Sequence, residues 1–90
     1  MDFNKLDVEE GFVLSQGVAL RYLRWLAEQE FEESYQKGAL GIDSESAGAY
    51  FEDLVVMAQT IVDKDWGWIK FEYSPMSASG VNVREMIVKE

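Results

Sequence analysis

Carboxylates and serines are the residues of this sequence whose types could perform chemistry. Paired carboxylates can act as a general acid and a general base, and a serine hydroxyl becomes a nucleophile when a base removes its proton. The candidate pairs are Glu28 with Glu32 and Glu52 with Asp53, and the candidate nucleophiles are Ser74, Ser77 and Ser79. The chain contains no histidine and no cysteine, so the commonest activating base and the thiol nucleophile are both missing. We therefore expect a protein that is not an enzyme and holds no cofactor.

A metal site is the second chemistry to consider, at the run DKDWG of residues 63–67. An EF-hand loop begins with the pattern D-x-[DN]-x-[DN]-G and ends at a distant glutamate. In this run the glycine arrives one position early and the third ligand is missing. We predict no metal site, because a charged helix end followed by a turn explains the run equally well.

Acidic charge dominates the composition and is unevenly distributed along the chain. The formal net charge is −9 in 90 residues. Residues 1–40 carry a net charge of −4, residues 41–65 carry −5, and residues 66–90 are neutral. Such a balance repels nucleic acid and anionic membranes and favours cationic surfaces. We expect a basic protein partner, with neither direct nucleic-acid binding nor membrane binding.

The run EQEFEESYQKG, residues 28–38, concentrates four glutamates around two aromatic residues. Carboxylates one helical turn apart lie about 6 Å from each other, and such a row can stand in for backbone phosphates, with the aromatic side chains as anchors. The run also fits a solvated helix end without function, because like-charge pairs cost only about 0.2–0.5 kcal/mol each. The candidate partner-binding residues of the helical region are Glu28, Glu30, Phe31, Glu32, Glu33, Tyr35, Glu52 and Asp53.

A group of aromatic residues follows at positions 66–73, and most of it is expected to pack in a sheet. Strand alternation places Trp68 on the face opposite Ile69 and Phe71, so Trp68 is a candidate exposed anchor for a partner or for a second copy of the chain. A small-molecule pocket near Trp66 is a further alternative, which has no support beyond the aromatic residues themselves.

The first of two predicted helices runs from about Ser15 to Lys37. Ser15 can cap its N-terminus, and Gly38 suits the position just after its C-terminus. Its predicted buried stripe consists of Ala19, Tyr22, Leu23, Leu26 and Ala27. Beyond Glu28 the same line meets acids rather than leucines, which predicts that the last two turns project into solvent.

The second predicted helix begins at a cap formed by Asp43 or Ser44. Its predicted core stripe consists of Phe51, Leu54, Val55, Ala58, Ile61 and Val62. The C-terminal third alternates as a hairpin, with turn chemistry at Pro75 and Gly80. The phase of its second strand shifts between Val83 and Met86, and a bulge could absorb that shift.

These elements predict one α+β domain over residues 1–90, with two helices packed on one face of a small antiparallel sheet. Two strands alone are marginal in water. A third short strand from residues 9–14, or sheet pairing between subunits, would complete the sheet.

Two functions fit this sequence. The first is a small acidic inhibitor that occupies the cationic surface of a basic, nucleic-acid-handling protein, as DNA mimics, phage anti-CRISPR proteins and toxin-immunity proteins do. The second is an assembly module that homodimerises through its hairpin, with the acidity serving solubility only. The acidic N-terminus predicts no signal peptide and no apolar run approaches 18 residues, so we expect a cytoplasmic location, in the host cytoplasm for a phage-encoded protein.

Overall fold

The computed structural model describes the backbone of residues 2–38 and 44–86, and the side chains of residues 2–30 and 48–86. Its elements are a 3₁₀ turn at Phe3–Lys5, strand β1 at Phe12–Ser15, helix α1 at Gln16–Gly38, helix α2 at Ser44–Asp63, strand β2 at Trp68–Tyr73 and strand β3 at Val81–Met86. The two helices pack against the three strands, which confirms the predicted α+β class.

The sheet is antiparallel with strand order β1-β2-β3. β1 pairs with β2, so that Phe12 lies opposite Phe71 and Leu14 opposite Ile69. The third strand that the hairpin needed is therefore supplied from within the chain, shifted slightly from the predicted residues 9–14. Gly11 makes the entry to β1 feasible: its φ is +83°, and a Cβ there would lie 3.2 Å from the backbone oxygen of Phe71.

The core lies between the helices and one face of the sheet. Its buried members are Leu14, Ala19, Tyr22, Leu23, Leu54, Met57, Ile61, Ile69, Phe71 and Val81. Each fully buried large side chain contributes roughly 1.5–3 kcal/mol relative to exposure. Tyr22 is the centre of an aromatic cluster, with ring centroids 5.0 Å from Phe71, 5.2 Å from Phe12 and 5.5 Å from Phe3.

The predicted buried stripe of α2 was partly wrong. Val55 and Val62 are 64% and 53% exposed, whereas Met57, which the stripe left out, is only 7% exposed. The apolar band of α2 is wider than the face that α1 and the sheet can cover, so one flank of it remains outside. Asp53 explains which flank is exposed. Its carboxylate, on the other side of the helix, is hydrogen-bonded to the turn between β2 and β3, so that side faces the rest of the molecule.

The bulge that could have absorbed the phase shift of the second hairpin strand is not present within the described residues. The β2–β3 register is uninterrupted from Tyr73 opposite Val81 to Trp68 opposite Met86. The phase shift therefore remains in the strand and places Glu85 opposite the buried Ile69. Glu85 is nevertheless exposed, because β3 is an edge strand.

α2 ends in a Schellman arrangement that leads directly into β2. The N–H of Trp66 donates to the carbonyl of Ile61 and the N–H of Asp65 donates to that of Val62, both at 3.2 Å. Asp65 adopts a φ of +52°, the left-handed conformation that glycine most often supplies at this position. The carbonyl of Gly67 then accepts from the N–H of Gln16 at 3.0 Å, which joins the start of α1 to the start of β2.

Across residues 2–38 and 44–86, neither α1 nor α2 combines the length and the apolar content that a membrane crossing requires.

Candidate partner-binding surface

The outward side of α2 combines exposed valines with carboxylates. Val55, Val56 and Val62 are 64%, 56% and 53% exposed, and Glu52 and Asp63 are exposed on the same side of the helix. We call this set, together with Gln59, the α2 outer surface. Gln59 donates to the carboxylate of Asp63 at 2.8 Å. The sequence from Ser44 to Asp63 contains neither lysine nor arginine. The next residue is Lys64, whose Nζ lies 5.9 Å from the centroid of the Trp66 ring.

An apolar depression of about 270 Å³ lies between α1 and α2, and we call it the interhelical groove. α1 contributes Leu20, Leu23, Arg24 and Ala27 to its lining. α2 contributes Phe51, Leu54, Val55 and Ala58. Val55 belongs to both features, so the groove opens directly onto the α2 outer surface.

Arg24 is the polar residue at the edge of this groove. Its Nε lies 3.2 Å from Oε1 of Glu28, and both side chains are largely exposed. An exposed pair of this kind contributes little stability, about 0.3–0.5 kcal/mol, but it partly neutralises Glu28. Of the acidic run predicted on α1, Glu28 is therefore paired, and Glu30 is half-buried.

The remaining predicted residues of that run are Phe31, Glu32, Glu33 and Tyr35. Their backbone is part of α1, but their side chains lie outside the described part of the structure. The prediction that the last two turns of α1 project into solvent falls on these same side chains and remains a prediction.

Asp53 points away from the α2 outer surface and binds the β2–β3 turn. Its Oδ2 accepts hydrogen bonds from Ser77 Oγ at 2.5 Å, from Ser79 N at 3.4 Å and from Ser79 Oγ. The two hydroxyls, considered above as nucleophiles, serve here as donors that hold the turn against α2. Asp53 therefore connects the helical layer to the hairpin, and we leave it out of the proposed contact surface.

Trp68 lies on the other side of the molecule, on the sheet face that the helices do not cover. It is 43% exposed and pairs with Ser15 on one side and Met86 on the other. On the same face Arg84 Nε lies 3.0 Å from Glu72 Oε1. Trp68 and the helical carboxylates thus belong to two separate surfaces, which their order in the sequence did not indicate.

The phenol of Tyr22, at the centre of the core, has a displaced pKa. Burial raises its pKa to about 12, and the neighbouring Tyr50 adds to the shift. A phenol held in this way stays neutral throughout the physiological range, so it acts as a packing residue and not as a general base.

Sequence reasoning missed the interhelical groove and the exposure of Val55 and Val62. The sequence feature that could have indicated both is the width of the apolar band on α2. The band is wider than the single stripe that a helix buries against one neighbour, so part of it has to be exposed. Among the described residues, no group of three carboxylates is arranged to hold a metal ion.

Comparisons with protein-family models, with curated proteins and with solved structures gave no match to this chain. The chain is therefore assigned to the α+β class by its fold alone.

Proposed function

We propose that this protein is a non-enzymatic binding protein that docks on a basic partner through the α2 outer surface. In the form we favour, the partner is a nucleic-acid-handling protein, and this chain inhibits it by occupying the cationic surface that would otherwise bind phosphates. Opposite fields on the two proteins accelerate such an encounter and suppress wrong partners.

The observation that carries this proposal is the composition of the α2 outer surface. Exposed valines next to Glu52 and Asp63, on a helix that has no lysine or arginine, combine apolar contact area with negative charge. Interfaces need both, because apolar side chains supply most of the affinity and charges supply rate and specificity. The net charge of −5 over residues 41–65 supports the same reading.

A second candidate function is homodimerisation through the sheet. It is favoured by Trp68 and Val13, which are 43% and 36% exposed on the face of the sheet away from the helices. β3 also forms one edge of the three-stranded sheet, and an exposed edge can pair with another chain. Sedimentation over a concentration series, with Trp68→Ala as the variant, tests this function directly.

Charge reversal tests the favoured function. The wild type and the double variant Glu52→Lys/Asp63→Lys are immobilised and exposed to lysate of the source cell at about 0.1 M and about 1 M salt, between which the Debye length falls from about 10 Å to about 3 Å. Retained proteins are identified, and their binding to nucleic acid is titrated with the free protein.

A matched control is Glu10→Lys/Glu85→Lys, which changes the net charge equally at exposed positions outside α2, one in the turn before β1 and one on β3. We expect the wild type and the control to retain a basic protein at low salt only, and the α2 variant to lose it. Retention that is unaffected by salt, or equal loss in both double variants, would contradict the proposal.

A further inference from the structure

We infer that the interhelical groove is the anchoring site for an apolar side chain from a cationic amphipathic helix of the partner. This inference rests on the proposed function and deepens it, because it names the kind of segment that the α2 outer surface recognises. It follows from the size of the groove, its charge surroundings and its continuity with the exposed valines.

The size of the groove suits one inserted side chain. Its volume is about 270 Å³, close to the lower end of the range of about 300–1,000 Å³ that is typical of small-molecule sites. It exceeds the roughly 150 Å³ at which an apolar cavity accepts benzene. One large aliphatic or aromatic side chain therefore fits.

The charges around the groove favour a cationic segment over an anionic ligand. Arg24 is the cation at the edge, and its guanidinium is already paired with Glu28. A fatty acid would need that guanidinium for its carboxylate and would also approach a helix that carries Glu52 and Asp63. Lysines or arginines on a docked helix meet the same carboxylates favourably.

The apolar surface continues beyond the groove in the direction of the α2 axis. Val55 borders the groove, and Val62 is two helical turns further on, about 10 Å along the axis. Both valines are more than half exposed. Anchors at i and i+7 of a docked helix have the same spacing, which is the pattern of helix-in-groove recognition.

The test uses a designed peptide and two adjacent valines. The probe is a labelled helical peptide of about 18 residues, five turns long, with leucines at i, i+3, i+4 and i+7 and lysines elsewhere, and its scrambled isomer is the control peptide. Val55→Lys places a charge at the groove, whereas Val56→Lys makes the same change of charge at an exposed valine that does not line it. Binding is measured by fluorescence anisotropy, and thermal melting checks that both variants fold.

We expect the amphipathic peptide to bind more tightly than its scramble, and Val55→Lys to weaken it about tenfold or more relative to Val56→Lys, as loss of a buried aliphatic contact implies. Equal binding of the two peptides, or equal losses in the two variants, overturns the groove assignment and leaves the electrostatic proposal standing. Absence of binding by either peptide at low salt also overturns the groove assignment, and the charge-reversal test of Glu52 and Asp63 then decides the proposed function separately. Self-association of the wild type that Val55→Lys abolishes would assign the groove to a second copy of the chain and overturn the inference.

Discussion

Replacement of Asp53 by alanine is expected to loosen the β2–β3 turn and lower the stability of the whole domain. Its Oδ2 accepts from Ser77 Oγ at 2.5 Å and from both the backbone N and the Oγ of Ser79. Hydrogen bonds to a charged group are worth roughly 1.5–3 kcal/mol each. The variant is not expected to lose the whole of this free energy, because the serine hydroxyls keep other partners. The two hydroxyls lie 3.0 Å apart, and Ser79 Oγ lies 3.4 Å from the carbonyl oxygen of Val81.

We therefore expect Asp53→Ala to reduce the free energy of unfolding by about 2 kcal/mol, since half-buried hydrogen bonds to the carboxylate are partly replaced by bonds between the serines. For a domain of this size, 1 kcal/mol corresponds to about 4–8 °C in Tm, so the melting temperature should fall by about 8–16 °C. The free energy of unfolding is measured by urea denaturation with tryptophan fluorescence as the signal. The melting temperature is measured by thermal melting with circular dichroism as the signal.

Glu52→Ala is the matched control, because it removes the same charge from the neighbouring position, which is exposed. A surface substitution of this kind stays within about 0.5 kcal/mol. A double-mutant cycle of Asp53→Ala with Ser79→Ala should show a coupling of more than about 0.5 kcal/mol. If Asp53→Ala unfolds at the same urea concentration as Glu52→Ala, Asp53 does not hold the turn, and it does not explain why the Val55 flank of α2 is the exposed one.

Three further predictions concern the backbone and the core. Gly11→Ala should destabilise by at least about 1 kcal/mol, because the added Cβ meets the Phe71 carbonyl at 3.2 Å and φ is +83°; an unchanged urea midpoint would contradict the geometry of that turn. Asp65→Gly should raise the free energy of unfolding by up to about 1 kcal/mol and so raise the melting temperature slightly, because glycine relieves the φ of +52°. A lower melting temperature would mean that the contribution of the aspartate side chain outweighs this strain. Burial raises the pKa of Tyr22 to about 12, so below pH 10 both states keep the proton, and between about pH 10 and 12 the unfolded state alone releases it. Stability should therefore fall in that window by at most about 2–3 kcal/mol more in the wild type than in Tyr22→Phe, and urea titrations of both proteins at pH 9 to 12 that run parallel would refute the shift.

Much of the architecture could be predicted from periodicity and turn chemistry. The stripe of Ala19, Tyr22 and Leu23 is buried as expected, and Ile69 and Phe71 share the buried face of β2. These predictions succeeded because helix and strand periods determine which side chains can share a face. The boundary between Ser15 and Gln16, where β1 becomes α1, was also within one residue of the prediction.

The candidate surface was less predictable, because it depends on which side of an element the rest of the molecule covers. Both flanks of the α2 band are apolar in sequence, and only contact with α1, the sheet and the β2–β3 turn separates the buried Met57 from the exposed Val55. Likewise Glu52 and Asp53 are adjacent carboxylates of the same type, yet one is exposed and the other receives hydrogen bonds from a turn 24 to 26 residues away.

By itself, the sequence determined the α+β class, the negative charge of the helical region and the absence of histidine and cysteine chemistry, because composition and periodicity are properties of the chain alone. The tertiary structure decided which flank of α2 is exposed, where the interhelical groove lies, and that Trp68 belongs to a surface separate from that of Glu52 and Asp63. Those features arise from contacts between residues distant in sequence, and such contacts select one of several faces that the local pattern leaves equivalent.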